Sequence, residues 1–145
     1  MIRPRLLVLF ATALLVSSAA AAGDFDWFRD FNVRVQADPG GFRVAMATRF
    51  HIGDAQVSAV VGRVASPADA YMVFRLGEIS QLPADQVLVE YKKSSGKGWG
   101  VIAKNLGIKP GSAAFHALKQ GHDLYKAGNG KDNGKGNGKA KGKRK

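Results

Sequence analysis

The apolar residues between positions 39 and 120 recur at intervals of three and four, and this period constrains the fold more than any other feature. Spacing of i, i+3, i+4 and i+7 places side chains on one face of an α-helix. Two segments follow it in full, namely Val57, Val60, Val61, Val64 and Trp99, Ile102, Ala103, Leu106. The pattern predicts an all-α domain of about five to six short helices.

Residues that favour helix starts stand before the apolar runs. Ser66 followed by Pro67 and Asp69 has the arrangement of a capping box with the shorter acid, with Pro at the first helical position. Asp54 and Ser112 are predicted as further N-caps, and Pro83 is predicted to start another helix.

A weak internal repeat runs through the same region. The segment "FHIGDAQVSAVV" aligns with "SQLPADQVLVEY" at an offset of 30 residues, so that Ile52 matches Leu82. Ile108 is the corresponding aliphatic residue of a third copy, which needs two extra turn residues. Because one helical hairpin cannot bury its apolar face alone, we expect three helix-turn-helix-like hairpins packed together.

The region before Pro39 is less regular. Aromatic residues cluster at Phe25, Trp27, Phe28 and Phe31, and the following valines alternate with polar residues. A strand here would have no visible partner. We expect a short helical or extended lead-in that places aromatic rings on the core.

The first 22 residues have the three parts of a secretory signal. Arg3 and Arg5 form a basic start, residues 6–16 an apolar stretch, and a run of small residues ends at Ala22. The apolar stretch is shorter than the roughly 20 residues that span a bilayer, so no transmembrane span is expected after cleavage. We therefore predict export to the periplasm or medium, a helical domain at 23–126 and a tail at 127–145.

The tail carries most of the excess positive charge. The chain has a formal charge of +11, of which two belong to the signal and six to residues 131–145, leaving about +3 for the domain. The tail is rich in Gly, Asn and Lys and is predicted to be disordered. It either binds a polyanion or only keeps the chain soluble. Its basic residues are Lys131, Lys135, Lys139, Lys141, Lys143, Arg144 and Lys145.

The stretch "GWGVIAKNLGIKPGS", residues 98–112, has the spacing of a DNA-binding helix-turn-helix. Its second helix, however, would present Ser112, Ala113 and His116, none of which is the Arg, Asn or Gln that base readout uses. Turn and cap chemistry explains Gly107, Pro110 and Ser112 without a ligand. The sequence therefore does not favour sequence-specific DNA recognition.

A basic, glycine-rich loop precedes Trp99. Lys92, Lys93 and Lys97 lie around it, and it lacks the spacing of a phosphate-binding P-loop. The loop is either part of an anion-binding surface or a solvated turn with Trp99 buried behind it. The candidate interaction surface comprises Lys92, Lys93, Lys97, Trp99, Lys104, Lys109 and His116.

The sequence offers no pattern typical of an enzyme. It has no cysteine and no nucleophile elbow, and His116 and His122 are six residues apart, which places them on different faces of a helix. The acids show no pairing suited to hydrolysis. We predict no catalysis, no cofactor and no metal.

The segments "SPADAYMVFRL" and "GKGWGVIAKNLGIKPGSAAFHALKQG" resemble small exported bacterial proteins of unassigned function. This resemblance implies no activity or binding site. The leading hypothesis is an exported non-catalytic helical domain that binds a protein or an envelope component, such as an anionic polymer. The alternative is binding of a polyanion or nucleic acid through the tail and the loop at residues 92–97.

Overall fold

The computed structural model describes residues 25–125, and this range contains helices and turns without a strand. The predicted all-α fold class is confirmed. In chain order the helices are α1 (Trp27–Ala37), α2 (Pro39–Phe50), α3 (Asp54–Val61), α4 (Pro67–Ser80), α5 (Ala84–Lys93), α6 (Trp99–Asn105) and α7 (Ala113–Gln120). The predicted signal and tail lie outside the described residues.

The aromatic lead-in is the helix α1, which brings the described helices to seven, one more than the upper expectation. Phe31 and Val35 are four residues apart and both are buried, as a helical period requires. Val33, between them, is 60% exposed. The valines that alternate with polar residues therefore belong to a helix. Of the two expectations for this lead-in, the helical one is confirmed and the extended one is wrong.

Three corners of one geometry join the helices into hairpins α2–α3, α4–α5 and α6–α7. At each corner, an aliphatic residue donates its backbone N–H to a carbonyl five residues earlier, and the residue before it has a positive φ. The bonds are Ile52 to Ala47 (3.0 Å), Leu82 to Gly77 (2.9 Å) and Ile108 to Ala103 (2.9 Å). The left-handed residues are His51, Gln81 and Gly107. This confirms the three predicted hairpins.

The predicted helix starts at Ser66 and Ser112 are correct, and those at Pro83 and Asp54 are each displaced by one residue, since Pro83 is the N-cap of α5 and Asp54 is the first residue of α3. Ser66 Oγ accepts from the N–H of Asp69 at 3.3 Å, and Ser112 caps α7 in the same way. The N-cap of α3 is Gly53, whose carbonyl accepts the first helical bonds. The Asp54 side chain instead pairs with Arg43 at 3.2 Å.

The apolar period of α3 also stops early. Helix α3 ends at Val61, so the predicted fourth apolar position, Val64, lies in the turn that follows.

Helix α4 is the centre of the domain. It packs against α1, α3 and α5, and most of its residues are buried, including Tyr71, Met72 and Leu76. A helix that is buried on nearly all sides must be apolar around most of its circumference. None of the helices within residues 25–125 has the length and apolar character needed to cross a bilayer.

Candidate functional site

The charges of the domain are divided along the chain by sign and by residue type. Residues 25–90 contain six arginines, no lysine and eight acids, whereas residues 91–125 contain six lysines, no arginine and only Asp123. The first part therefore has a net charge of −2 and the second of +5. This division was visible in the sequence, but its meaning depends on which charges are paired.

Most arginines in the described residues are engaged within the protein. Arg43 pairs with Asp54 at 3.2 Å and Arg63 pairs with Asp85 at 3.1 Å. Arg34 lies over the ring of Tyr125, with its guanidinium carbon 3.9 Å from the ring centroid. Arg49 and Arg75 both bind Glu78 in a partly buried network of charged side chains. The charges of these five arginines thus already have partners within the protein.

Most lysines near the glycine-rich loop have no such partner. Within residues 25–125, Lys92, Lys97, Lys104 and Lys109 form no ion pair within 4.0 Å, and all four are exposed. Only Lys93 approaches an acid, with 4.0 Å between its Nζ and Glu90 Oε2. These charges are available to an anionic partner.

A hydrogen-bonded seam joins α5 to α6 on either side of the glycine-rich loop. Glu90 Oε1 accepts from Ser94 Oγ at 2.7 Å and from Asn105 Nδ2 at 2.6 Å, which joins α5 to α6. These two bonds, followed by the charges of Lys93 and Lys97, lower the pKa of Glu90. The Glu90 carboxylate therefore lies near Lys93 and Lys97, and Lys92 and Lys104 belong to the two helices that the seam joins.

We define the lysine surface as Lys92, Lys93, Lys97 and Lys104 together with the exposed valines of the same helices. Val89 is 66% exposed and Val101 is 38% exposed. Val33 and Val44 on α1 and α2 are as exposed, so the distinguishing feature of the lysine surface is its charge.

Lys109 and His116 lie apart from the Glu90 seam. Lys109 follows the third corner and lines a different cavity, about 390 Å³ in volume, with Ile79 and Leu106. His116 is exposed on α7. The basic residues of the tail lie outside the described residues.

Trp99 is a core residue that also lines a cavity. It is 7% exposed and stacks on Tyr91 with ring centroids 5.2 Å apart and an interplanar angle of 25°. Its indole N–H donates to Asp69 Oδ1 at 2.7 Å. The tryptophan was predicted to begin the apolar stripe of its helix, and this packing explains its burial.

The cavity beside Trp99 has a volume of about 290 Å³ and is open to solvent. Asp69, Tyr91 and Trp99 form its wall, and Ser95 with the two loop glycines forms its mouth. Gly96 and Gly98 have φ values of 78° and 82°, a region that favours glycine, and a Cβ on either would meet nothing within 4 Å. The backbone conformation, not crowding, therefore requires these glycines.

A second polar cluster holds the end of the domain against its centre. The Arg49 guanidinium binds both oxygens of Glu78 at 3.0 Å and also binds Asp123 Oδ2 at 2.7 Å. Tyr71 donates its O–H to Asp123 Oδ1 at 2.9 Å and accepts from the Asp123 N–H at 3.2 Å. Arg75 also donates to Glu78. We call these five residues the Arg49 cluster.

The electrostatics of the Arg49 cluster follow from burial and pairing. Burial raises the pKa of Tyr71 above its ordinary value. Burial also tends to raise the pKa of Asp123, but the hydrogen bonds from Arg49 and Tyr71 outweigh it and lower that pKa. The Arg49 hydrogen bonds lower the pKa of Glu78. The cluster therefore holds two ionised carboxylates between two guanidinium groups.

Within residues 25–125, no three His, Asp or Glu side chains are grouped so that they could hold a metal ion. The chain matches no family model, no curated protein and no solved structure in comparisons with known proteins.

Proposed function

We propose that this chain is an exported, non-catalytic helical domain that binds an anionic polymer of the cell envelope through its lysine surface. The observation that carries the proposal is the contrast between five engaged arginines, Arg34, Arg43, Arg49, Arg63 and Arg75, and the lysines Lys92, Lys97 and Lys104, which form no ion pair within residues 25–125. Exposed lysines of this kind attract a polyanion without first breaking an internal ion pair.

The basic tail strengthens this binding. It adds seven basic residues and one acid to the same chain. Once one basic segment holds a polymer, the other meets the same polymer at a high effective concentration, so the two act together. Export, which the first 22 residues predict, would bring the protein to the acidic polymers and lipids of the envelope.

The Arg49 cluster supports a non-catalytic role. Within residues 25–125, the cluster holds the two groups whose pKa values are most strongly raised, Arg49 and Tyr71, and such groups in an enzyme mark a candidate site. Here the carboxylates, guanidinium groups and phenol bind one another across α2, α4 and the segment after α7. Side chains that bind one another in this way hold the segment after α7 against α2 and α4.

The test separates the lysine surface from the tail. In the full chain, all seven basic tail residues are changed to glutamine, and we call this variant the tail-neutral chain. Its binding to inorganic polyphosphate is measured at several salt concentrations. On that background, Lys92→Gln, Lys97→Gln and Lys104→Gln together should lower the affinity. The salt dependence should also weaken. If the polymer releases counterions as a single-stranded nucleic acid does, the loss of three contacts makes the slope of log K against log salt less negative by about 2.

The matched control removes the same number of charges elsewhere. Arg29→Gln, Arg43→Gln and Arg63→Gln change exposed arginines, and exposed ion pairs are worth about 0.2–1 kcal/mol, so the fold should persist. This control should bind as the tail-neutral chain does. Equal losses in the two triple variants would mean that only net charge matters, and the proposal would be wrong.

A further inference from the structure

The cavity beside Trp99 opens next to the lysine surface. The loop that forms its mouth runs directly from Lys93 to Trp99 and carries Lys97. Ser94 belongs both to the cavity lining and to the hydrogen bonds with Glu90 that join α5 to α6. A polymer held by Lys97 would therefore lie close to this cavity.

The cavity wall offers an apolar ring surface beside hydrogen-bond acceptors. Trp99 is 7% exposed and its indole N–H is engaged by Asp69, so the apolar ring surface of the wall comes mainly from the half-buried Tyr91 stacked on it. Asp69 accepts one hydrogen bond at each oxygen, from Trp99 and from Ser66 Oγ, and each oxygen keeps a lone pair. The Tyr91 oxygen accepts from the Ala65 N–H at 3.2 Å, which leaves its own proton to donate.

The charges of the cavity and of its rim have opposite signs. The Asp69 carboxylate disfavours an anionic group inside, whereas Lys97, in the loop between the lining residues Gly96 and Gly98, favours one outside. The occupant that satisfies both is a neutral ring with hydroxyl donors that carries its acidic group at the edge. A pyranose ring has this form, with an apolar C–H face that packs on an aromatic ring and hydroxyls that bind carboxylates.

We propose that this cavity binds one ring of an acidic glycan, a polymer of sugars that bear carboxylate or phosphate groups. This inference rests on the proposed function, since it names the class of polymer that the lysine surface holds. A duplex nucleic acid fits less well, because one of its bases would have to leave the stack to enter the cavity.

The experiment uses Trp99 as the reporter. The chain has two tryptophans, so Trp27→Phe in the full, tail-neutral chain leaves Trp99 as the sole indole fluorophore. Circular dichroism first checks that this background is folded, because Trp27 Nε1 donates to the Leu118 carbonyl at 3.2 Å. Polygalacturonate, polyphosphate, uncharged pullulan and duplex DNA are then titrated separately. We expect polygalacturonate alone to shift the Trp99 emission.

A blocking variant tests the cavity itself. Ser95 is exposed at the cavity mouth, and Ser95→Phe should fill it and weaken polygalacturonate binding by about tenfold, with polyphosphate binding unchanged. The matched control is Ser58→Phe, which changes an exposed serine on α3 and should alter neither.

The outcomes separate this inference from the proposed function. If neither acidic polymer binds, the proposed function fails and the inference fails with it. If both bind but Trp99 does not respond and Ser95→Phe has no effect, the glycan inference alone is overturned. A Trp99 shift with DNA equal to that with polygalacturonate would also overturn it.

Discussion

Tyr71→Phe should destabilise the domain far more than the loss of one hydroxyl group at the surface. Tyr71 is 1% exposed, and its oxygen both donates to Asp123 Oδ1 at 2.9 Å and accepts from the Asp123 N–H at 3.2 Å. Hydrogen bonds to charged groups contribute about 1.5–3 kcal/mol, and water reaches Asp123 in part. We expect a loss of about 2 kcal/mol in the free energy of unfolding.

The assay is urea and thermal unfolding of the full chain followed by far-UV circular dichroism. For a domain of this size, a loss of about 2 kcal/mol corresponds to a fall in Tm of about 8–16 °C. Tyr91→Phe is the matched control. It removes one bond from the N–H of Ala65, an exposed residue that water can solvate instead, so the expected loss is below about 1 kcal/mol.

The two variants lose the same atoms, so their difference isolates the environment of the hydroxyl group. Equal losses in Tyr71→Phe and Tyr91→Phe would refute the role of the Arg49 cluster in holding the segment after α7. A double-mutant cycle of Tyr71→Phe with Asp123→Asn should give a coupling above about 0.5 kcal/mol, as expected for residues in contact.

Two further perturbations have outcomes set by the structure. The pKa values of Glu78 and Asp123 are lowered in the folded protein. Their contribution to the free energy of unfolding should therefore be complete above about pH 5 and should be lost as the pH falls below about 4. Urea unfolding at a series of acidic pH values measures this loss. Gly77→Ala should cost about 1–3 kcal/mol because its Cβ would lie 2.8 Å from the Leu82 backbone oxygen. Gly100→Ala should instead stabilise the domain by about 0.5–1 kcal/mol, since its Cβ would make an ordinary 3.7 Å contact with the Phe115 ring. Urea unfolding compares the two variants, and equal effects would contradict the corner geometry at Gly77.

The helical hairpins could be predicted because their determinants are local in sequence. Each corner depends on an aliphatic residue and on a residue in the left-handed conformation, within one turn of the helix end. The offset between Ile52 and Leu82 therefore reported a real structural repeat. The lead-in helix was harder, because alternating valines satisfied a strand pattern as well as the helical spacing of Phe31 and Val35.

The polar clusters could not be predicted because their partners are distant in sequence. Arg49 binds Asp123 across 74 positions, and Trp99 binds Asp69 across 30 positions. Asp69 was interpreted only as a helix-start residue, and nothing in the local pattern indicates that it also faces an indole. For the lysine surface, the sequence gives the charges, but the distinction between paired arginines and unpaired lysines requires three-dimensional structure.

The most direct measurement of the central claim is backbone amide NMR of the full chain titrated with polygalacturonate. We predict chemical-shift changes at the amides of residues 92–105 and of the basic tail, which weaken together as salt is added. Changes confined to the tail, or spread over residues 25–90, would contradict a binding site on the lysine surface.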